Sequence, residues 1–160
     1  MVGSPTGRLP GWLPLANRVV RAATRLGAPL GTIQVLEVPG RVSGRPRATP
    51  VSPLRVDGAQ YVIAGLPDGD WARNARAARS GVLIRGRRRR PVRLLEVHDP
   101  ARRRAVMRAF PSEIQHGVAF FVHLGLVHEA DQEQFAAAAD HVAVFEITDV
   151  ETDLARDHTG

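Results

Sequence analysis

Short apolar runs, separated by glycine, proline and aspartate, dominate the middle and the end of the chain. The runs are rich in β-branched residues or alternate between apolar and polar positions, a pattern typical of strands. Asp57-Gly58 lies between two of them and is a strong signal for a two-residue hairpin turn. Six runs are predicted as strands: 32–38, 47–56, 60–64, 81–85, 91–97 and 141–148.

Other stretches place their apolar residues at helical spacing. Asp70 and Asp99 are each suited to cap the start of a helix, and Pro100 favours a first helical turn. Near 125–128 the pattern is interrupted, which divides the last helical stretch into two pieces. The predicted helices are 12–27, 71–79, 99–110 and the two pieces of 112–139.

Short strands with helices between them and at the ends indicate an α+β, mainly β, fold. The strands do not alternate regularly with long helices, so a closed or nearly closed antiparallel barrel with helical additions is favoured over a doubly wound fold. We expect a flexible segment at 1–11, one domain over 12–150 and a polar tail at 151–160.

Composition narrows the chemistry. The 160 residues include no cysteine and no lysine, so thiolate nucleophiles and lysine Schiff bases are excluded. A net charge of +6 suggests an anionic partner, but aromatic residues make up only 5% of the chain, and we expect no nucleic-acid binding. No compact metal motif is present, and no metal is expected. We expect a cytoplasmic protein, with peripheral membrane contact through helix 12–27 as an alternative.

The loop over residues 40–50 carries the clearest chemical signal. Gly40 and Gly44 allow backbone conformations that turn N–H groups toward one point. Arg41, Arg45 and Arg47 add guanidinium groups that match the oxygens of phosphate or carboxylate. The loop is therefore interpreted as an oxyanion site, most readily for phosphate. The alternative is an ordinary turn whose arginines face water.

A second feature follows at Asp70-Trp71-Ala72-Arg73-Asn74. A helix that begins here offers free N–H groups to an anion. Trp71 supplies a flat apolar surface, and the amide of Asn74 lies about one turn later on a similar face. The alternative is a capped helix with a tryptophan in the core.

Together the two features resemble the deazaflavin-dependent nitroreductase and quinone reductase family. The matching residues are Gly40, Arg41, Ser43, Gly44, Pro46, Arg47, Thr49 and Pro50, followed by Trp71 and Asn74. The resemblance implies a six-stranded split β-barrel related to FMN-binding folds, with helical additions at both ends. It also implies coenzyme F420 as the hydride donor, with FMN as a less favoured cofactor.

The resemblance also implies roles for particular residues. Arg41, Val42 and Ser43 would hold the phosphate of the cofactor, although a basic residue is common at the position of Val42. Another basic residue can occur where Leu66 and Pro67 stand. The deazaflavin ring would be lined or completed by the following residues: Arg47, Ala48, Thr49, Pro50, Val51, Ala64, Gly65, Trp71 and Asn74.

On the substrate side, the resemblance implies a small organic hydride acceptor: a quinone, an enone or a nitro compound. Glu113, His116 and Phe120 are the candidate pocket residues. His116 is the candidate proton donor, because histidine exchanges protons near neutral pH; solvent is the alternative source. A split-barrel protein that binds a cofactor or lipophile without redox turnover is the alternative function. The chain is expected to be a monomer or a homodimer.

Overall fold

The structure is a computed structural model and describes residues 33–150. The predicted segment 1–11, helix 12–27 and tail 151–160 lie outside the described residues. The strands are β1 Gln34–Pro39, β2 Pro46–Val51, β3 Leu54–Val56, β4 Ala59–Ala64, β5 Ser80–Arg85, β6 Arg88–Glu96 and β7 Ala143–Asp149. The α-helices are α1 Asp70–Ala78, α2 Pro100–Glu113, α3 Val118–His123 and α4 Gln132–Ala137, with 3₁₀ turns at Gln115–Gly117 and Ala138–His141.

All seven strands form one antiparallel sheet in the order β2-β1-β5-β6-β7-β4-β3. β2 and β3 lie at opposite edges, although only Ser52 and Pro53 separate them in the chain. The sheet must therefore curl until its two edges approach each other, which gives the split barrel. The prediction of six strands was wrong at this point. Residues 47–56 form two strands, because Pro53 has no N–H to donate and the chain turns here from one edge to the other.

The hairpin turn at Asp57-Gly58 is confirmed, with φ of 51° and 79°. The predicted strands 81–85 and 91–97 pair as a hairpin, but assigning Arg87–Arg90 to the connection between them, as those bounds do, was wrong. Gly86 and Arg87 alone make that turn, and Arg88–Arg90 already belong to β6. Arg88 and Arg89 are exposed, and the half-buried Arg90 on the inward face has polar partners in Gln60 and Asp149.

Two helix starts had been predicted from aspartates, and they differ. Asp99 caps α2 as expected, its Oδ1 accepting from the Ala101 N–H at 3.4 Å. Asp70 is not a cap: Gly69 occupies that position and Asp70 is the first residue of α1. The break in the last helical stretch is wider than predicted, since residues 124–131 separate α3 from α4.

Apolar side chains pack on both faces of the sheet. One core fills the inside of the barrel and includes Leu36, Val62, Leu94 and Phe145, which are at most 1% exposed. The other lies between the sheet and helices α2 to α4, with Phe110, Phe121 and Phe135 in mutual contact. α1 packs on the inside core through Ala72 and Ala75, so it is held against the same end of the barrel as the loop after β1.

Gly81 lies where β5 crosses β1 most closely. A Cβ built on Gly81 would lie 2.7 Å from the Glu37 carbonyl oxygen, a backbone atom that cannot move aside. We expect Gly81→Ala to lower the free energy of unfolding by about 1–3 kcal/mol, because the two strands must separate. Urea denaturation measures this change, with Ser80→Ala on the exposed neighbouring position as the control. Equal stability of the two variants would contradict the close strand contact.

Candidate active site

The loop between β1 and β2 is a compact turn that closes on itself. The Gly40 N–H donates to the Arg45 carbonyl at 2.9 Å, and the Gly44 N–H donates to the Gly40 carbonyl at 2.8 Å. Gly44 has φ of 70°, a conformation that favours glycine. The Ser43 Oγ accepts from the Arg45 N–H at 3.2 Å. The turn is thus built locally, and Arg41 emerges from it in a fixed direction.

Arg41 is tied to helix α1 by three hydrogen bonds. The Asn74 Oδ1 accepts from the Arg41 backbone N–H at 3.1 Å and from Nη1 at 2.9 Å. The Arg41 Nη2 donates to the Asp70 Oδ1 at 3.2 Å. Asn74 is 5% exposed, whereas the Asp70 side chain is 91% exposed. The bonds to Asn74 are therefore the sheltered part of this connection, and the ion pair with Asp70 is open to water.

An open cleft of about 320 Å³ lies between the loop, β2 and the start of α1. Two guanidinium groups, of Arg41 and Arg47, and the carboxylate of Asp70 give its lining a formal charge of +1. The full lining is Gly40, Arg41, Val42, Ser43, Arg47, Thr49, Asp70, Trp71 and Asn74. Because the N–H groups of a helix's first turn have no partner within the helix, the start of α1 adds to the positive potential.

The start of α1 is fixed against the barrel. The Trp71 ring packs on Phe145 of the inside core, with ring centroids 5.7 Å apart. Arg76 donates from Nη1 to the Pro67 carbonyl at 2.6 Å and pairs through Nε with Glu96. Arg76 therefore fixes the loop that leads into α1, and Trp71 is half-buried at the cleft wall.

Strand β2 presents alternate residues to the two faces of the sheet. Arg47 pairs with Val38 and Thr49 with Leu36, whose side chains lie in the inside core. Arg47, Thr49 and the buried Val51 therefore share the inward face. Ala48 and Pro50 belong to the opposite face, so they can reach the cleft only through main-chain atoms. Pro50 is tolerated because β2 is an edge strand.

A second group of predicted residues meets at the far end of β2. The His116 Nε2 lies 2.9 Å from the Ser52 Oγ, directly after Val51. Gly65, after the end of β4, lies against α3: a Cβ there would be 2.9 Å from Phe120 Cε1. Leu54 of β3 pairs with Tyr61 of β4, which brings the Ser52 corner toward the Gly65 end of β4. His116 and Phe120 thus lie beyond the Val51 end of β2, away from the arginine loop.

The structure sorts the predicted residues into three sets. Those that line the cleft are Arg41, Val42, Ser43, Arg47, Thr49, Trp71 and Asn74. Ala48, Pro50 and Val51 lie on β2 outside the cleft lining, while Ala64 ends β4 and Gly65 follows it against α3. Those at the far end are His116, Phe120 and the exposed Glu113, and they do not line the cleft. Val42 is 92% exposed.

Asp70 lines the cleft, although the sequence predicted it only as a helix cap. A carboxylate is not expected in a site that binds anions, so nothing in its chemistry indicated this position. The available signal was its place next to Trp71, in the segment already assigned to the site.

The hairpin formed by β5 and β6, which carries Arg85 and Arg87–Arg90, lies away from the cleft. β5 runs antiparallel to β1, so its last residue, Arg85, lies near the start of β1, whereas the arginine loop follows the end of β1. Six residues of β1 separate the two, about 20 Å. Arg89 donates to Glu37 at 2.8 Å on the outer face of the sheet, whereas Arg90 shares the inward face with Val92 and donates to Gln60 at 2.6 Å.

Within residues 33–150, no group of three or more histidine, aspartate or glutamate side chains is placed to hold a metal ion. In the same range, no helix combines the length and apolarity needed to cross a bilayer. The predicted membrane contact through helix 12–27 lies outside the described residues.

A curled antiparallel sheet with an anion cleft between one strand-connecting loop and a helix start defines a split β-barrel protein of the flavin-binding type. The structure matches that of an F420-H2 dependent reductase, FDR-A, with a TM-score of 0.50 and 16% identity over 73% of this chain and 94% of the other. It also matches the conserved hypothetical protein Rv2991 from Mycobacterium tuberculosis, with a TM-score of 0.49 and 13% identity over 83% and 79% of the two chains. No curated protein matches the chain.

The family is established from the sequence. Residues 15–116 match the model of the F420H(2)-dependent quinone reductases, and the chain belongs to this family. It is therefore an oxidoreductase whose cofactor is coenzyme F420, as the resemblance implied. The cleft fits an anionic cofactor, because it carries two guanidinium groups and a helix start against the single carboxylate of Asp70.

Proposed function

We propose that this protein uses reduced F420 to reduce a small organic acceptor, a quinone, an enone or a nitro compound. The observation that carries the proposal is the cleft in which Arg41 and Arg47 meet the start of α1. When bound, the reduced cofactor supplies a hydride, so the chain needs no side-chain nucleophile. Its work is to bind, to orient and to supply a proton.

The two ends of β2 would have different roles, one in binding the cofactor phosphate and the other in admitting the acceptor. Arg41, Ser43 and Arg47 would hold the cofactor phosphate through charge-assisted hydrogen bonds. Thr49 and Val51, further along the same inward face, would lie beside the ring, with Trp71 as an apolar wall. The acceptor would then enter near Phe120 and His116, where the half-buried Phe120 ring offers an apolar surface. A flat, uncharged electrophile suits such a surface.

This proposal is tested by following the oxidation of reduced F420 through the return of its visible absorbance. The purified protein is supplied in turn with a quinone, an enone and a nitroaromatic compound. We expect catalysed oxidation with at least one of the three, above the rate without protein. Binding of F420 without any acceptor-dependent oxidation would instead support the alternative of a non-redox cofactor-binding protein.

His116 is proposed as the proton donor to the reduced acceptor. Its Nε2 is held by Ser52, and the imidazole is exposed. We expect His116→Ala to lower kcat about tenfold, less than the roughly hundredfold or more usual for a general acid, because water can reach the exposed site and replace part of the function. F420 affinity should stay within about twofold, since the imidazole lies away from the phosphate end.

The matched control is His123→Ala, which removes another exposed histidine from the last turn of α3. It should leave kcat unchanged. Steady-state kinetics with a saturating acceptor measure both variants. If kcat of His116→Ala equals that of His123→Ala, the proton comes from solvent and His116 has no catalytic role.

A further inference from the structure

Asp70 is a carboxylate placed inside a cleft that is otherwise suited to anions. Its Oδ1 lies 3.2 Å from the Arg41 Nη2, and its side chain is 91% exposed. Helix α1 does not need this carboxylate as a cap, because Gly69 holds the cap position. Within residues 33–150, the Asp70 carboxylate accepts a hydrogen bond from Arg41 and from no other side chain. The structure thus shows an acidic group whose one contact is the arginine proposed to bind phosphate.

The charge of the lining has a direct consequence for the anion that fits. With Arg41 and Arg47 positive and Asp70 negative, the formal charge is +1. Any anion that bonds the Arg41 guanidinium approaches the Asp70 carboxylate, and the repulsion it meets grows in proportion to its charge. A phosphate esterified twice carries one negative charge. A terminal phosphate esterified once carries between one and a half and two charges at neutral pH, because its second pKa is about 6.

We infer that Asp70 shifts the preference of this cleft toward a singly charged phosphodiester, the linkage present in F420, and away from the terminal phosphomonoester of FMN. This inference rests on the proposed placement of the cofactor phosphate at Arg41. Asp70 acts as a specificity-determining residue: it disfavours every anion, and the doubly charged one most. It also holds the Arg41 guanidinium toward the cleft through the ion pair.

The test compares F420, FMN and riboflavin as ligands of the wild-type chain, Asp70→Asn and Asp68→Asn. Riboflavin shares the FMN ring and lacks the phosphate, so the ratio of the two affinities isolates the phosphate. Asp68 is an exposed carboxylate in the loop before α1 that does not line the cleft, and its variant changes the net charge equally. Quenching of tryptophan fluorescence reports binding at a fixed ionic strength of about 0.15 M, where exposed charges more than roughly 8 Å apart are screened.

We expect Asp70→Asn to tighten FMN binding about tenfold and F420 binding about threefold, with no change for riboflavin, because the removed repulsion scales with the charge of the phosphate group beside Asp70. Asp68→Asn should change each affinity by less than about twofold, since its exposed charge lies outside the cleft lining and is screened by water and salt. Equal factors for FMN and F420, or an equal response to Asp68→Asn, would overturn the inference.

The outcomes also separate this inference from the proposed function. If the wild-type chain does not bind F420, the proposed function fails, and the selectivity is judged from FMN against riboflavin alone. If F420 binds and Asp70→Asn leaves the ratio of FMN to F420 affinity unchanged, the function stands and the role of Asp70 is refuted. If no anionic ligand binds any variant, both are refuted.

Discussion

Replacing Arg41 by alanine weakens F420 binding by about 1.5–3 kcal/mol, the cost of losing a charge-assisted contact to phosphate. The side chain lines the cleft, and its guanidinium is held in place by Asn74 and Asp70. A pre-positioned guanidinium loses little conformational freedom on binding, so most of its interaction energy reaches the ligand. Fluorescence titration with F420 measures the loss as a rise in Kd.

Two control variants separate the specific contact of Arg41 from a general loss of positive charge. Arg45→Ala removes an exposed arginine from the same loop, outside the cleft lining, and should change Kd by less than about threefold because its charge is screened by water. Arg41→Lys keeps the charge but loses the planar fork and should fall between the two. An Arg41→Ala affinity equal to that of Arg45→Ala would show that Arg41 does not bind the cofactor.

Asn74→Leu is expected to damage both stability and binding. Asn74 is the one buried polar or charged residue among residues 33–150, and its Oδ1 accepts two bonds from Arg41. An apolar side chain leaves the Arg41 N–H without its acceptor, which costs about 1–3 kcal/mol of folding free energy. Without this anchor the Arg41 side chain is freed, so F420 affinity should fall nearly as far as in Arg41→Ala. Urea denaturation and F420 titration measure the two effects.

Asn74→Asp is the variant to compare with Asn74→Leu, because it separates the loss of the oxygen acceptor from a change of charge. Asn74→Asp keeps an oxygen acceptor for Arg41 and should retain most of the stability, while its added negative charge still lowers anion affinity. Combining Asn74→Leu with Arg41→Ala should lower F420 affinity no further than Arg41→Ala alone, because Asn74 acts on the ligand through Arg41. Additive losses would mean that Asn74 contributes to binding independently.

Much of this fold follows from local signals. The turn at Asp57-Gly58 and the cap at Asp99 depend on a few adjacent residues, and both were predicted. The division of 47–56 into β2 and β3 was not, because it depends on the sheet curling until its edges meet at Ser52 and Pro53. Residues Arg88–Arg90 were assigned to a turn because a run of charges lacks the alternation of a strand. Their partners, such as Glu37 and Gln60, come from distant parts of the chain.

The candidate site shows the same division. Arg41 and Ser43 were predicted because the glycine and arginine spacing of their loop is typical of an anion site and also matches a known family. The bond from Ser52 to His116 joins residues 64 apart, and the contact of Gly65 with Phe120 depends on how α3 packs. Asp70 was assigned a local role as a cap, whereas its contact with Arg41 arises from tertiary packing of α1 against the loop. Such long-range contacts have no signature within a short window of sequence.

The central claim is that the cleft beside Trp71 holds coenzyme F420. Trp12→Phe leaves Trp71 as the sole tryptophan of the chain, so its fluorescence reports on the cleft alone. Titrating this variant with F420 should give saturable quenching at micromolar cofactor, and the signal should weaken when Arg41→Ala is added. The absence of saturable quenching, or quenching that is indifferent to Arg41, would contradict the account.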